Sequence, residues 1–264
     1  MQPLLLRTVQ SDGTPLNSKA AATGFKWPVG PDAVGQTVTA PDWDPNSACG
    51  GGLHGLLWGQ GEFLTLNQDA HLIEWQVVEV APGSPVVDLG GKVKTQSVII
   101  RYSGPSPIEA CAFLKQHRPE GIVPSFDAVG DGETATVGDC GCALAGKGGT
   151  AITGEGGYAA AGDGGTATAG VQGKASAGAG GTATVGAHGY ADAGPNGTAI
   201  AGDEGFVGVQ QGGKGKVGKH GIFAFLNNRT QAYQHFYIDG VGIRANIFYK
   251  WSDKQQMPVK ASLG

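Results

Sequence analysis

The 264-residue chain carries 48 glycines but only 8% aromatic and 15% charged residues, a composition that marks low complexity where the glycines are unordered. Its net charge of −4 leaves no basic footprint for nucleic acid, and no apolar run approaches the roughly 20 residues that cross a bilayer. Four cysteines (Cys49, Cys111, Cys140, Cys142) are too few and too irregularly spaced for a disulfide scaffold.

The opening stretch, MQPLLLRTVQSDG, has three consecutive leucines with no charged region before them and does not read as a secretory signal. With free thiols, this predicts a cytoplasmic protein. Residues 1–125 read as a small mixed or mainly β N-terminal domain. Its β-rich runs are Leu4 to Val9, Leu72 to Val80 and Val93 to Tyr102, with the turn signals APGSP and YSGPSP after them. Pro107 to His117 is the one predicted helix, with Ser106 before a first-turn proline and basic residues at its end. Trp27, Trp43, Trp58 and Trp75 supply a conventional small core.

From Thr134 to Gly221 an octapeptide runs eleven times without a gap. Its eighth residue is Gly in all eleven units, its fifth is Gly in ten (Gln210 excepted), and its second is Ala in nine (Val207 and Gly215 excepted). Such a period predicts a repeat architecture. It is not collagen, because glycine does not fall every third residue, and it is not the nine-residue calcium-binding roll. Residues one to four predict a short strand. Residues five to eight predict a turn whose glycines take positive φ. Alternation along a strand turns positions two and four inward, and these are small: Ala135 and Val137, Ala143 and Ala145, Ala151 and Thr153.

The outward pairs show a second period. Odd octads present Thr134/Thr136, Thr150/Ile152, Thr166/Thr168, Thr182/Thr184 and Thr198/Ile200. Even octads present Cys142/Leu144, Tyr158/Ala160, Lys174/Ser176, Tyr190/Asp192 and Phe206/Gly208. The unit is therefore a sixteen-residue coil of two strands, and residues 126–221 form a β-solenoid. Residues 222–264, with the β-rich runs IFAFLN, AYQHFYID and GIRANIFYKW, predict a C-terminal β cap, because a solenoid end otherwise exposes unpaired strand edges.

The stretch ACGGGLHGLLWGQG (48–61), with WQVVEV (75–80) and VVDLGGKV (86–93), resembles an N-terminal domain of unknown function in bacterial and bacteriophage proteins, where GTATAG-type octads follow it. Those repeats resemble the ice-nucleation proteins, whose sixteen-residue coils carry a Thr-x-Thr row and a tyrosine row. The resemblance implies the solenoid and a bacteriophage setting (host cytoplasm or virion), and it implies no activity.

Two faces are candidate sites. The threonine face (Thr134, Thr136, Thr150, Thr166, Thr168, Thr182, Thr184, Thr198) can order water or bind ice, although threonine also suits any exposed strand. The mixed face (Leu144, Tyr158, Lys174, Tyr190, Phe206) can meet a protein partner or a second copy, since aromatics concentrate in binding hot spots. On it Tyr158 and Tyr190, two coils apart, are expected not to form a continuous row. Cys49, His54, Cys140 and Cys142 lack the paired spacing of a metal site, so no metal or cofactor is predicted. His54, Glu62, His71, Glu74 and Tyr102 include acid–base groups, but no catalytic motif joins them. A structural or interaction protein is the leading reading. An ice- or water-ordering protein, and an enzyme or small-molecule binder built on the N-terminal domain, are the alternatives.

Overall fold

A computed structural model describes residues 2–15, 24–66 and 72–261. The chain forms two compact units, Met1–Phe126 and Asp127–Gly264, and is mainly β.

The first unit contains β1 (Leu4–Gln10), β2 (Thr37–Thr39), β3 (Leu53–Leu57), β4 (Ile73–Val80), β5 (Val86–Asp88), β6 (Val93–Thr95), β7 (Ser97–Gly104) and α1 (Pro107–His117). They build an antiparallel half-barrel with strand order β2-β7-β4-β1-β3-β6-β5. The central strand β1 is buried on both sides. Leu5 and Val9 join Trp27, Val78, Val80, Val98 and Ile100 in one buried cluster. Helix α1 packs on β1, β4 and β7, burying Ala110, Cys111 and Leu114. The Ser106 side chain accepts the Glu109 N–H at 3.2 Å and starts that helix where the sequence predicts. The single predicted strand Val93 to Tyr102 is two strands. Gln96 breaks it, so that β6 pairs with β3 and β5 while β7 pairs with β2 and β4.

The second unit opens with β8 (Phe126–Val129), β9 (Thr134–Thr136), β10 (Cys142–Ala145), β11 (Thr150–Ile152), β12 (Tyr158–Ala161), β13 (Thr166–Ala169) and β14 (Lys174–Ala177). It continues through β15 (Thr182–Val185), β16 (Tyr190–Ala193), β17 (Thr198–Ala201), β18 (Phe206–Val209), β19 (Lys214–Val217) and β20 (Ile222–Asn227). Even-numbered strands stack in one sheet and odd-numbered strands in the other. Each residue pairs in parallel with the one sixteen positions on, as in Ala143↔Ala159, Ala159↔Ala175 and Ala175↔Ala191. This is a β-solenoid of about six coils. Its interior is a file of buried alanines and valines from positions two and four.

The glycines have a different cause from the one expected. In all eleven turns the residue at positive φ is the seventh: Cys140, Gly148, Gly156, Gly164, Gln172, Gly180, His188, Asn196, Glu204, Gly212 and His220. Six of these are not glycine. The near-invariant fifth and eighth positions are absent from the left-handed region, and most of them lack room for a side chain. A Cβ on Gly165 would sit 2.8 Å from the Gly149 carbonyl of the preceding coil and 2.9 Å from Ala161 Cβ. The fifth-position N–H also bonds across coils, as from Gly170 to the Gly154 carbonyl at 2.9 Å. Glycine is there because successive backbones stack in contact. Where position six is aspartate, its carboxylate accepts the position-six N–H of the next coil: Asp131 from Lys147, Asp139 from Glu155, Asp163 from Ala179 and Asp203 from Lys219, at 2.7–2.9 Å.

Parallel stacking ends in two antiparallel additions. Strand β21 (Ala232–Tyr237) folds back on β20, and β22 (Tyr249–Ser252) with β23 (Met257–Lys260) pairs on β19. Phe223, Phe225 and Tyr249 enter the core at this end, and Phe236, Ile238, Ile243, Ile247 and Trp251 pack against them. Of the predicted strand GIRANIFYKW only the end from Tyr249 is extended ladder. The preceding residues form turns that bring Ile243 and Ile247 onto the plug.

Candidate functional site: the two faces of the solenoid

On the odd-strand face, position one is an unbroken column. Thr134, Thr150, Thr166, Thr182 and Thr198 are paired neighbours, followed by Lys214. Position three is mixed: Thr136, Ile152, Thr168, Thr184, Ile200. The column ends where Lys214 and Lys216 lie over the Phe248 ring, at 5.5 and 5.2 Å from its centroid.

The even-strand face is more organised than its residue types indicate. Tyr158 and Tyr190 do stand two coils apart, but the Lys174 ammonium lies between them, 5.7 Å from one ring centroid and 5.4 Å from the other. The expected gap is therefore bridged. Tyr190 in turn stacks on Phe206 with centroids 4.8 Å apart and planes 5° from parallel. Strict sixteen-residue register causes this, because it holds equivalent side chains one strand spacing apart. Leu144 is half-buried at the start of the position-three column, outside the aromatic row. Cys142, expected to point outward, is 1% exposed, and its burial pushes the thiol up to about 11. It stands in register with Tyr158 on the outward side of the strand but is covered there, so it is an inert buried thiol.

Four further residues belong to this face. Asp192 is half-buried beside Tyr190. Burial raises its carboxyl pKa, and Lys174 partly offsets that rise. Gly208 leaves the space that Asp192 occupies: a Cβ there would meet Asp192 Oδ1 at 2.5 Å. From the cap, His235 reaches Phe206 at 6.1 Å between ring centroids, and the Asp192 charge raises the Tyr233 hydroxyl after burial has done so. The alternation Tyr233, His235, Tyr237 in AYQHFY carries this information, with Phe236 turned to the core. Burial also raises the Tyr158 and Tyr190 hydroxyls, so both remain neutral donors.

Two of the acid–base candidates of the first unit, Glu74 and Tyr102, make structural bonds. Glu74 accepts the Gly30 N–H and the Ser103 hydroxyl at 3.1 and 2.9 Å. Tyr102 donates toward Glu109 at 3.0 Å and Ser106 O at 3.2 Å, and burial pushes it up to about 12. Glu62 is exposed, and His71 lies outside the described residues. Among the described residues no group of three or more His, Cys, Asp or Glu could hold a metal ion, and no helix is long and apolar enough to cross a membrane. No family model, curated protein or solved structure matches the chain.

Proposed function

We propose that this is a non-enzymatic structural or interaction protein whose solenoid presents the Tyr158–Lys174–Tyr190–Phe206 face to a protein partner or to a second copy of itself. The carrying observation is the continuous ladder. Its side chains are held by mutual stacking and cation–π contact on hydrogen-bonded strands, so docking them costs little further ordering. A single such row meets its twofold copy isologously. Sedimentation velocity on the wild type and on Tyr158→Ser/Tyr190→Ser tests self-association, and affinity capture with the same pair tests a foreign partner. The variant should weaken association at least tenfold with an unchanged circular dichroism spectrum. Unchanged association in both assays removes this face. The bacteriophage setting, as virion accessory or host-defence antagonist, is the one the sequence resemblance supports, and the neighbouring genes separate those two roles.

A second reading rests on the unbroken threonine column from Thr134 to Thr198: a surface that orders water or binds ice. Thermal hysteresis and droplet freezing test it, and no effect at millimolar protein rejects it.

A further inference from the structure

The first unit contains a cleft that neither face explains. Strand β1 pairs with β3 at Leu5↔Leu57 and Leu6↔Leu56. Past Leu6 the strands part, and a cavity of about 300 Å³ opens, lined by Arg7 and Thr8 on one side and Leu53, His54 and Gly55 on the other. That volume lies at the compact end of small-molecule sites.

Arg7 is the decisive residue. It occupies a β1 position between the core residues Leu5 and Val9, and it is 9% exposed. Its guanidinium lies over Trp27, with Cζ 3.4 Å from the ring centroid. Nη1 donates to the His54 carbonyl at 3.2 Å, replacing the ladder bond lost where the strands part. Among the described residues that is its one side-chain hydrogen bond, and Nε is buried without an acceptor. No carboxylate among the described residues forms a salt bridge with it. Burial alone drives its pKa down to about 9. An arginine buried against an apolar core with one neutral acceptor costs several kcal/mol, and a paired anion offsets that cost.

The rest of the lining has the same polarity. Lys92 adds a second cation, and Asp42 is the one acid among the described lining residues. His54 Nε2 is buried without a partner. Burial, then the charges of Lys92, Arg7 and Lys94, hold this imidazole down to about 4, so it is neutral at pH 7. Lys94 does not compete for a ligand. It is fully buried, and its ammonium is held by the Ala48 and Gly50 carbonyls at 2.9 Å each. The CGGG segment is thereby fastened as the outer rim of the cleft. Phe25, Leu53 and Leu66 supply apolar wall.

We infer that this cleft binds a small organic anion, its carboxylate or phosphate group on Arg7 and Lys92 and its apolar body against Phe25, Leu53 and Leu66. The inference is independent of the solenoid faces.

The test uses the full chain and four probes: benzoate, phenyl phosphate, inorganic phosphate and neutral benzamide. Saturating benzoate or phenyl phosphate should raise Tm by about 3 °C or more, and benzamide should not. Whichever of the two anions acts identifies the head group, and inorganic phosphate shows whether the apolar body is needed. A second readout locates the ligand. Cys49 is exposed and lines the cleft, whereas Cys140 is exposed on a solenoid turn. Bound ligand should slow iodoacetamide labelling of Cys49 at least fivefold and leave Cys140 unchanged. Arg7→Met should abolish both effects without lowering Tm, because it removes a buried charge that no carboxylate among the described residues pairs. If that variant does not fold, Lys92→Met should weaken binding about tenfold. Absence of any anion-specific shift, or equal protection of both cysteines, overturns the inference.

Discussion

Adjacent glycines in one turn separate two reasons for being glycine. Gly164 is at position seven with φ +67°, and no atom lies within 4 Å of where its Cβ would be. Alanine there takes the left-handed conformation at about 1–2 kcal/mol, less about 0.4–1 kcal/mol recovered from a stiffer unfolded chain. Gly164→Ala should therefore destabilise by about 0–1.6 kcal/mol. Gly164→Asn should cost less still, since Asn196 occupies the same place at φ 58°. Gly165 is outside the left-handed region, but its Cβ would meet the Gly149 and Gly162 carbonyls at 2.8 and 3.0 Å and Ala161 Cβ at 2.9 Å. The Gly149 carbonyl accepts the Thr166 N–H at 2.9 Å, so relieving the clash strains an inter-coil bond. Overpacking of about 1–3 kcal/mol plus a weakened hydrogen bond of about 1 kcal/mol puts Gly165→Ala at about 2–4 kcal/mol. Urea unfolding followed by circular dichroism measures both, with Tm as a check. If Gly164→Ala is as damaging as Gly165→Ala, backbone conformation rather than coil stacking fixes the octad.

Other perturbations reach other parts of the molecule. His54 titrates near 6.5 when unfolded and near 4 when folded, so between those values the unfolded chain binds the extra proton. Stability is complete above pH 6.5 and falls as pH drops toward 4. The shift is equivalent to at most about 3.4 kcal/mol, discounted to about 1–2 kcal/mol for a ring that keeps some solvent contact. His54→Gln should flatten that stretch of the stability–pH curve, and an unchanged slope would reject the burial of a neutral ring. Asp163→Ala removes the acceptor of the Ala179 N–H and should cost about 1 kcal/mol, with faster hydrogen exchange at Ala179 as its local signature. Gly215→Ala should cost about 1–3 kcal/mol, because its Cβ would meet Val207 Cγ1 at 2.6 Å. Adding Val207→Ala should return part of that, giving a coupling of about 1 kcal/mol or more in a double-mutant cycle.

The solenoid is legible in the octads because every coil stacks on a near copy of itself. One unit's pattern (small inside, glycine at two stacking points, variable outside) is then tested eleven times along the chain. The same logic explains why the cause of the glycines was misassigned. Sequence shows that a position is glycine, whereas only coil-to-coil distance shows whether φ or contact demands it, and the free variation of position seven (Cys140, Gln172, His188, Asn196, Glu204, His220) was the available clue. The half-barrel was less legible. Val93 to Tyr102 is uniformly β-forming, and nothing local marks Gln96 as the point where the chain leaves one pairing for another. The Lys174 bridge was hidden for a different reason: lysine reads as a solvated charge, and only neighbours at one strand spacing on both sides make it a link between two rings.

The last octads show what the repeat is for. Val207, Gln210 and Gly215 look like decay of the pattern, yet each stands where the coil below no longer has an identical coil above it. The interior changes from alanine to Val207, Val209 and Val217, then to Phe223 and Phe225. Gly215 gives up its Cβ where a Cβ would meet Phe223 Cε1 at 3.1 Å as well as Val207. Large and small side chains exchange volume across facing strands so that the bore closes on a plug of rings rather than on water. Strand β23, at the edge of the capped sheet, carries Pro258, which cannot donate to a further strand. Regularity is selected where stacking must continue, and irregularity where it must stop. The aromatic row follows the same division: it runs from Tyr158 to Phe206 on regular coils and is closed by His235 from the cap, which gives it a defined length.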